Sequence, residues 1–207
     1  MDIIINGIDY DAVLELSRAI VNPEVSNEDV NRIALSYWHI PNGNLINLMC
    51  SYEVKRIGLF LRITPPSHTF GAILEKDKNG DKIKSVTLLN TYSWENGKKQ
   101  KYIYLMVALH LYRLVCGKQN FRSLLHCIKQ VHPTGKKQFN FQDGDPGAGF
   151  CQHWNTFILY KILVGGKGPK AVFDALEQMS ALERGTKIFE WANRVVNKAE
   201  MHFWRFI

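Results

Sequence analysis

Apolar residues recur every three or four positions in several stretches of this chain, the spacing of an amphipathic helix. The first predicted helix covers 11–21 and ends at Asn22-Pro23, because the residue before a proline disfavours helical geometry. The second covers roughly 27–37 and begins after Ser26, a good N-cap, with acidic residues in its first turn. Further helices are predicted over 45–52, 100–116, 121–131, 170–180 and 182–203.

β-Branched and alternating runs predict the strands of a small sheet. They are a short run at Ile3–Ile5, a strand at about Ile57–Ile63, a hairpin of His68–Glu75 with Lys82–Thr91, and a short strand over 136–142. The hairpin turn carries Asn79-Gly80, the type of dipeptide that tight hairpin turns prefer.

The length of the hairpin loop decides which residues face each other across its two strands. A two-residue loop at Asn79-Gly80 places Thr91 opposite His68, whereas a three-residue loop over 78–80 places Asn90 opposite His68. Opposed residues have Cβ atoms about 5 Å apart, close enough for an asparagine to hold a histidine ring. A slip of one residue sends the two side chains to opposite faces. A joint role for His68 and Asn90 therefore predicts the odd-length loop or a β-bulge.

The length and composition favour a single domain over 1–207, with a mostly helical N-terminal lobe (1–56), a core (57–165) and C-terminal helices (166–207). Hydrophobic residues make up 46% of the chain and charged residues 22%, which suits a packed core and not a disordered chain. The net charge of +7 favours an acidic partner such as nucleic acid, and serves solubility equally well.

The sequence predicts neither a membrane span nor a cofactor or metal site. No apolar run reaches transmembrane length, and the N-terminus lacks the charged region of a signal peptide. The cysteines at 50, 116, 127 and 151 form no CxxC pair, and Cys127 with His126 and His132 falls short of four zinc ligands. This cysteine pattern favours a reducing, intracellular compartment.

The strongest candidate for chemistry is Cys151. A loop rich in glycine and aspartate runs into it, and apolar positions 154, 157, 158 and 162 continue as a helix that ends at Gly165-Gly166. Cys151 is therefore expected in the first turn of a buried helix. Unpaired N–H groups and the positive end of the helix dipole favour a thiolate there, the nucleophilic form of the side chain. A cysteine among apolar residues is also commonly core filler, and this alternative stays open.

Three other residues have side chains that suit a thiol nucleophile. His68 would take the thiol proton, and the Asn90 carbonyl would orient its imidazole ring. Gln142 and the backbone N–H of Cys151 would donate hydrogen bonds to the oxyanion of a tetrahedral intermediate. Each has an ordinary structural alternative: a surface histidine, an asparagine that closes a strand and a solvated loop glutamine.

The order His68, Asn90, Gln142, Cys151 resembles that of the adenovirus-type and ubiquitin-like-protein-specific cysteine proteases. The phrase Asp-x-x-x-Gly-Phe-Cys-x-x-Trp, over 145–154, resembles the versions in proteases of large DNA viruses, and asparagine as second member resembles the asfarvirus protease. The resemblance covers roughly 60–165. The chain departs from the family at Thr69, where an aromatic residue is frequent, and in the longer spacing between Gln142 and Cys151.

Together with the predicted elements, the resemblance implies an α+β fold in which a small mixed β-sheet packs on a central helix bearing the nucleophile. The helical N- and C-terminal extensions of this fold follow from the hydrophobic patterns and have no counterpart in the resemblance. It implies a cysteine endopeptidase for viral structural polyproteins, or alternatively for ubiquitin-like conjugates, located in the host cytoplasm or nucleus or packaged in the virion. DNA is a further expected partner through the basic surface. The alternatives are a basic nucleic-acid-binding or virion structural protein without chemistry, an inactive relative and an acyltransferase.

Overall fold

The computed structural model describes most of the elements that the patterns predict. It covers residues 2–6, 10–36, 56–64, 68–79, 82–91, 105, 107–109, 111–112, 119–133, 141 and 150–203. For residues 2–6, 10–13, 36, 60–64, 68 and 196–203 only the backbone is described. The predicted helix over 45–52 and the predicted strand over 136–142, apart from Phe141, lie outside these residues.

The strands and helices follow each other along the chain in a mixed order. The strands are β1 (Asp2–Asn6), β2 (Arg56–Thr64), β3 (His68–Lys76), β4 (Ile83–Leu89) and β5 (Ile128–Val131). The helices are α1 (Tyr10–Val21), α2 (Asn27–Ser36), α3 (Phe121–His126), α4 (Cys151–Leu163), α5 (Pro169–Glu177) and α6 (Ala181–Phe203). Residues 105, 107–109, 111 and 112 are also helical, within the predicted helix over 100–116. No helix among these is long and apolar enough to cross a membrane.

The sheet is mixed, with the strands in the order β1-β2-β3-β4-β5. β1 runs parallel to β2, with Asp2 paired to Phe60. β3 and β4 form the predicted antiparallel hairpin. β5 runs parallel to β4, because the bonds from Val86 N–H to the Cys127 carbonyl and from Asn90 N–H to the Val131 carbonyl advance together along both strands. The predicted α+β class with a small mixed sheet is confirmed.

The hairpin contains one extra residue on the β4 side. Near the turn, the N–H of Asp77 donates to the carbonyl of Lys82 at 2.9 Å. Further along, the Ser85 hydroxyl donates to the Glu75 carboxylate at 3.0 Å. From Asp77 with Lys82 to Gly71 with Leu89, whose Cβ positions lie 3.4 Å apart, six steps along β3 match seven steps along β4, which is the arrangement of a β-bulge.

Beyond the bulge, the register brings Asn90 opposite Phe70. A Cβ atom at Gly71 would lie 3.4 Å from the Cβ of Leu89, a distance that only opposed residues reach. The next pair is then Phe70 with Asn90, and both side chains are buried. The predicted direct opposition of His68 and Asn90 is therefore wrong, since Asn90 faces a residue two positions further along β3.

The second half of the predicted helix over 121–131 is also wrong. α3 ends at His126, and Ile128–Val131 form β5. The β-branched ends of this short run suit a strand, and its backbone hydrogen bonds go to β4, more than thirty residues earlier in the chain. The other described helix and strand predictions agree with the structure to within one or two residues at each end, as α1, α2, β2 and α4 illustrate, except that the helix predicted over 170–180 ends three residues early, at Glu177.

The chain divides into two compact units. The first comprises Met1–His68, Ala72–Leu88 and Trp94–Gln130, and the second comprises Thr69–Gly71, Leu89–Ser93 and Val131–Ile207. His68 thus belongs to the first unit, and Asn90 and Cys151 belong to the second. The single domain with boundaries after 56 and 165 stays a prediction.

Arg122 in α3 ties together the ends of α1 and α2 in the first unit. Its guanidinium donates hydrogen bonds of 2.8 to 3.2 Å to five acceptors: the carbonyls of Ala19, Ile20, Asn22 and Val25 and the side chain of Asn27. Two of these carbonyls belong to the last turn of α1, where no intrahelical partner exists. The neighbouring Phe121 N–H donates to Asn31 of α2 at 2.9 Å.

The second unit is built around α4, which packs against α5 and α6. Trp154, Ile158 and Ile162 are fully buried on one face of α4, at helical spacing. α4 ends as predicted at Gly165-Gly166, where Gly166 adopts a left-handed φ of 66°. Trp191 of α6 is half-buried and packs against Phe157 and Tyr160.

Replacing Arg122 by lysine should lower the free energy of unfolding by about 2 kcal/mol, because an ammonium has too few donors and no planar fork to reach five acceptors. Urea unfolding monitored by circular dichroism measures the change. Arg32→Lys is the matched control, since Arg32 is exposed and bonds Asp29 on its own helix. The control should change stability by less than about 0.5 kcal/mol. Equal effects of the two substitutions would contradict the role of Arg122.

Glu183 forms a capping box with Ser180 at the start of α6. The Ser180 backbone N–H and hydroxyl donate to the carboxylate at 2.7 and 2.8 Å, and the Glu183 N–H donates back to the hydroxyl at 3.2 Å. These bonds, aided by the charge of Lys187, lower the pKa of Glu183 below its ordinary value. A pKa lowered by folding gives stability that is complete above the unfolded pKa and is lost as the pH falls through the folded pKa.

The stability advantage of the wild type over Glu183→Gln should therefore be largest at neutral pH and shrink from about pH 5 downwards. Urea midpoints at a series of pH values between 7 and 3 measure it. In a Ser180→Ala background the same difference should be smaller, because one of the two donors is gone. A difference that stays constant down to pH 3 would contradict the assignment.

Candidate active site

Cys151 is the first residue of α4, as the spacing predicts. Cys151 is a free cysteine, and the residue is partly exposed. The helix begins without a side-chain cap: Phe150 occupies the N-cap position, and its carbonyl accepts from the Trp154 N–H at 2.9 Å. The N–H groups of the first turn are therefore not taken by a capping side chain.

The first turn of α4 is held by Asn155, a fully buried polar residue one turn after Cys151. The Asn155 amide donates one hydrogen bond to the Cys151 carbonyl at 2.8 Å and another to the Thr69 carbonyl at 2.6 Å. Its oxygen accepts from the Gly71 N–H at 2.7 Å. Both donor hydrogens and one acceptor site are thus used, as burial of an amide requires.

The contact between Asn155 and β3 imitates the pairing of two strands. An N–H and a C=O group two residues apart on one strand are the groups that a residue of a neighbouring parallel strand bonds. Here a side chain on a helix makes both bonds, to Thr69 and Gly71. The approach favours a glycine, because a Cβ atom at Gly71 would lie 3.1 Å from the Asn155 oxygen, a tight contact for a Cβ atom.

Asn90 lies at the end of β4, and its backbone N–H donates to the carbonyl of Val131 at 2.9 Å. Its side chain is 2% exposed. Asn90 directly follows Leu89, the last residue of β4, so it closes the strand, as its ordinary structural alternative expects. The next residue, Thr91, is also buried, and its carbonyl accepts from the Phe141 N–H at 3.2 Å. The end of β4 is thereby linked to the segment that precedes Gln142.

Phe141 connects this segment to α4. Its ring is fully buried, with its centroid 5.8 Å from that of Trp154 and 5.3 Å from that of Phe173. Trp154 lies three residues after Cys151, so Phe141 packs on the same first turns of α4 that Asn155 holds. Gln142 follows Phe141 directly in the chain, but it lies outside the described residues, and its role as oxyanion donor stays a prediction.

His68 opens β3, directly before Thr69. Only its backbone is described, so the position of the imidazole ring stays a prediction. Among the neighbours of Cys151, His153 does not replace it: its ring packs against that of Phe150 at 5.3 Å, on the helix itself.

Asn155 is the residue of this region that the sequence patterns do not single out. The signal that could have identified it is an asparagine four residues after Cys151, within an otherwise apolar helix face. Its two strand partners lie 84 and 86 residues earlier in the chain, so no local pattern identifies them.

Compared with protein-family models and with curated proteins, the sequence has no match in either set. The family resemblance therefore rests on the motif and on the order of the candidate residues. In the part of the chain that the structure describes, no three histidine, cysteine, aspartate or glutamate side chains are grouped so that they could hold a metal ion.

Replacing Gly71 by alanine should destabilise the protein by about 2 kcal/mol, since the two side chains nearest to the new methyl group, those of Asn155 and Leu89, cannot move away from it easily. The Asn155 oxygen is held by its hydrogen bonds, and the buried Leu89 side chain would lie 3.3 Å from the new methyl group. Urea unfolding followed by tryptophan fluorescence measures the change. Gly168→Ala is the matched control, because a Cβ atom there meets nothing within 4 Å, and its effect should stay below about 1 kcal/mol. A neutral Gly71→Ala would contradict the tight contact.

Proposed function

We propose that the protein is a cysteine endopeptidase in which Cys151 is the nucleophile, His68 the general base and Asn90 the residue that orients the imidazole. Gln142 and the backbone N–H of Cys151 form the oxyanion hole. The sequence motif and the order of these residues are the first support for the proposal. The position of Cys151 as the partly exposed first residue of α4 is the second.

The reaction forms and hydrolyses a thioester. The Cys151 thiol gives its proton to His68, and the sulfur attacks the carbonyl carbon of the substrate. The oxyanion accepts hydrogen bonds from Gln142 and the Cys151 N–H. When the C–N bond breaks, the imidazolium protonates the leaving amine. A water molecule, deprotonated by His68, then attacks the thioester carbonyl, and the sulfur leaves and regains a proton.

One observation carries the proposal: contacts within the second unit connect the chain neighbours of His68, Asn90 and Gln142 to the first turns of α4. Thr69, after His68, bonds Asn155 in the second turn. Thr91, after Asn90, bonds Phe141, which precedes Gln142 and packs on Trp154. These contacts join four segments that are far apart in sequence, which a core cysteine without chemistry does not require.

The substrate class follows from the resemblance. A viral structural polyprotein is the primary proposal, and a ubiquitin-like conjugate is the alternative. Members of the resembled family accept small residues near the cleaved bond, because the substrate backbone lies in a narrow groove.

Iodoacetamide should alkylate Cys151 at least about tenfold faster than Cys127 at pH 6, because a thiol paired with an imidazole is a thiolate at a pH where an isolated thiol is not. Mass spectrometry of digested protein, labelled between pH 5 and 9, measures both rates in the same molecule. Cys127 is a suitable internal reference, since it is also free and partly exposed. In His68→Ala the alkylation rate of Cys151 at about pH 6 should fall to that of Cys127.

Labelling of Cys151 at the rate of Cys127, with the same pH profile in wild type and His68→Ala, would overturn the proposal. The basic nucleic-acid-binding alternative would then be the hypothesis to test. A His68-dependent profile would justify a search for cleaved peptides with small residues near the cut.

A further inference from the structure

We propose that Asn155 is a positioning residue for Cys151, and that it fixes the first turn of α4 on the two residues of β3 that flank Phe70. The inference rests on the proposed function, since it concerns the geometry of the nucleophile. Asn155 would not touch the substrate. It would act through the backbone of Cys151, whose carbonyl accepts one of its three hydrogen bonds.

The first argument is that the Asn155 amide joins the nucleophile to the strand by directional bonds. One nitrogen donates both to Cys151, at 2.8 Å, and to Thr69, at 2.6 Å. Thr69 directly follows the proposed base, His68, in the chain. A displacement of the first turn of α4 along β3 would break at least one of these bonds. Geometry fixed to within a fraction of an ångström is what a nucleophile and its base need.

The second argument is that simpler side chains would serve a purely structural role. A buried apolar residue at 155 would fill the same space without two amide donors that need partners. Thr156, next to Asn155, shows that a helix-internal bond alone needs only a hydroxyl, because its Oγ1 donates to the Gln152 carbonyl at 2.7 Å. The two bonds to β3 are what Asn155 adds.

These two neighbours supply a matched pair of substitutions. Asn155→Thr keeps a hydroxyl that can donate to the Cys151 carbonyl, as Thr156 does to Gln152, but it loses both bonds to β3. Thr156→Val removes the same kind of helix-internal bond and leaves β3 untouched. The pair therefore separates the strand link from general changes in α4.

The experiment is the pH–rate profile of Cys151 alkylation by iodoacetamide, with Cys127 as internal reference, in wild type and both variants. The exchange rate of the Gly71 amide, which donates to Asn155, reports whether the strand contact is lost. In Asn155→Thr the acid-side rate of Cys151 should fall at least about tenfold while the Cys127 rate is unchanged. In Thr156→Val the Cys151 profile should match that of the wild type.

A reactive Cys151 in the wild type that keeps its profile in Asn155→Thr, with the Gly71 amide exposed to exchange, would overturn the inference and leave the proposed function standing. A wild-type Cys151 that labels like Cys127 would overturn the proposed function and the inference with it.

If Asn155→Thr does not fold, Gly71→Ala provides the second variant. Its methyl group would press on the Asn155 oxygen at 3.1 Å and leave the sequence of α4 unchanged. It should lower the acid-side rate in the same direction, and an unchanged profile in folded Gly71→Ala would overturn the inference.

Discussion

The second unit of this protein depends on one buried amide. Asn155 is fully buried and bonds a helix carbonyl, a strand carbonyl and a strand N–H group at once. A buried amide without partners would cost about 1 to 3 kcal/mol for each unpaired group, so the chain can bury Asn155 only in a register where all three partners are present. The contact therefore selects one placement of α4 on β3 and excludes neighbouring placements. Gly71 adds to the selection, since a Cβ atom there would lie only 3.1 Å from the amide oxygen.

A second contact to α4 differs in kind. Phe141 packs on Trp154 and Phe173 through ring faces and edges, and the Thr91 carbonyl holds its backbone. Aromatic packing stabilises by burying apolar area and tolerates small shifts, because its energy changes gradually with distance. It brings the segment before Gln142 to α4 without fixing that segment to a tenth of an ångström. The hydrogen bonds of Asn155 fix the position of the helix start, and the aromatic cluster supplies much of the burial around it.

The elements that local patterns encode could be predicted from the sequence, whereas those that depend on distant partners could not. α1, α2 and α4 show helical spacing with a start or stop residue, and β3 and β4 flank an Asn-Gly turn. β5 is four residues long and gains its hydrogen bonds from β4, so its sequence alone continues the pattern of α3. The bulge in β4 likewise depends on the side chains that meet across the hairpin, such as Ser85 and Glu75.

The same distinction explains what could be predicted of the candidate site. Cys151 is recognisable because a glycine-rich loop, a helix start and an apolar face are all local to it. In the sequence Asn155 looks like a tolerated polar residue, because its hydrogen-bond partners on β3, Thr69 and Gly71, are more than eighty residues away. A nucleophile needs both kinds of information: a local helix end that exposes the thiol, and a distant, directional contact that fixes where the helix end points. Under the proposed function, the buried amide would supply the second requirement, and this would account for a polar side chain at a position where an apolar one would pack with less constraint.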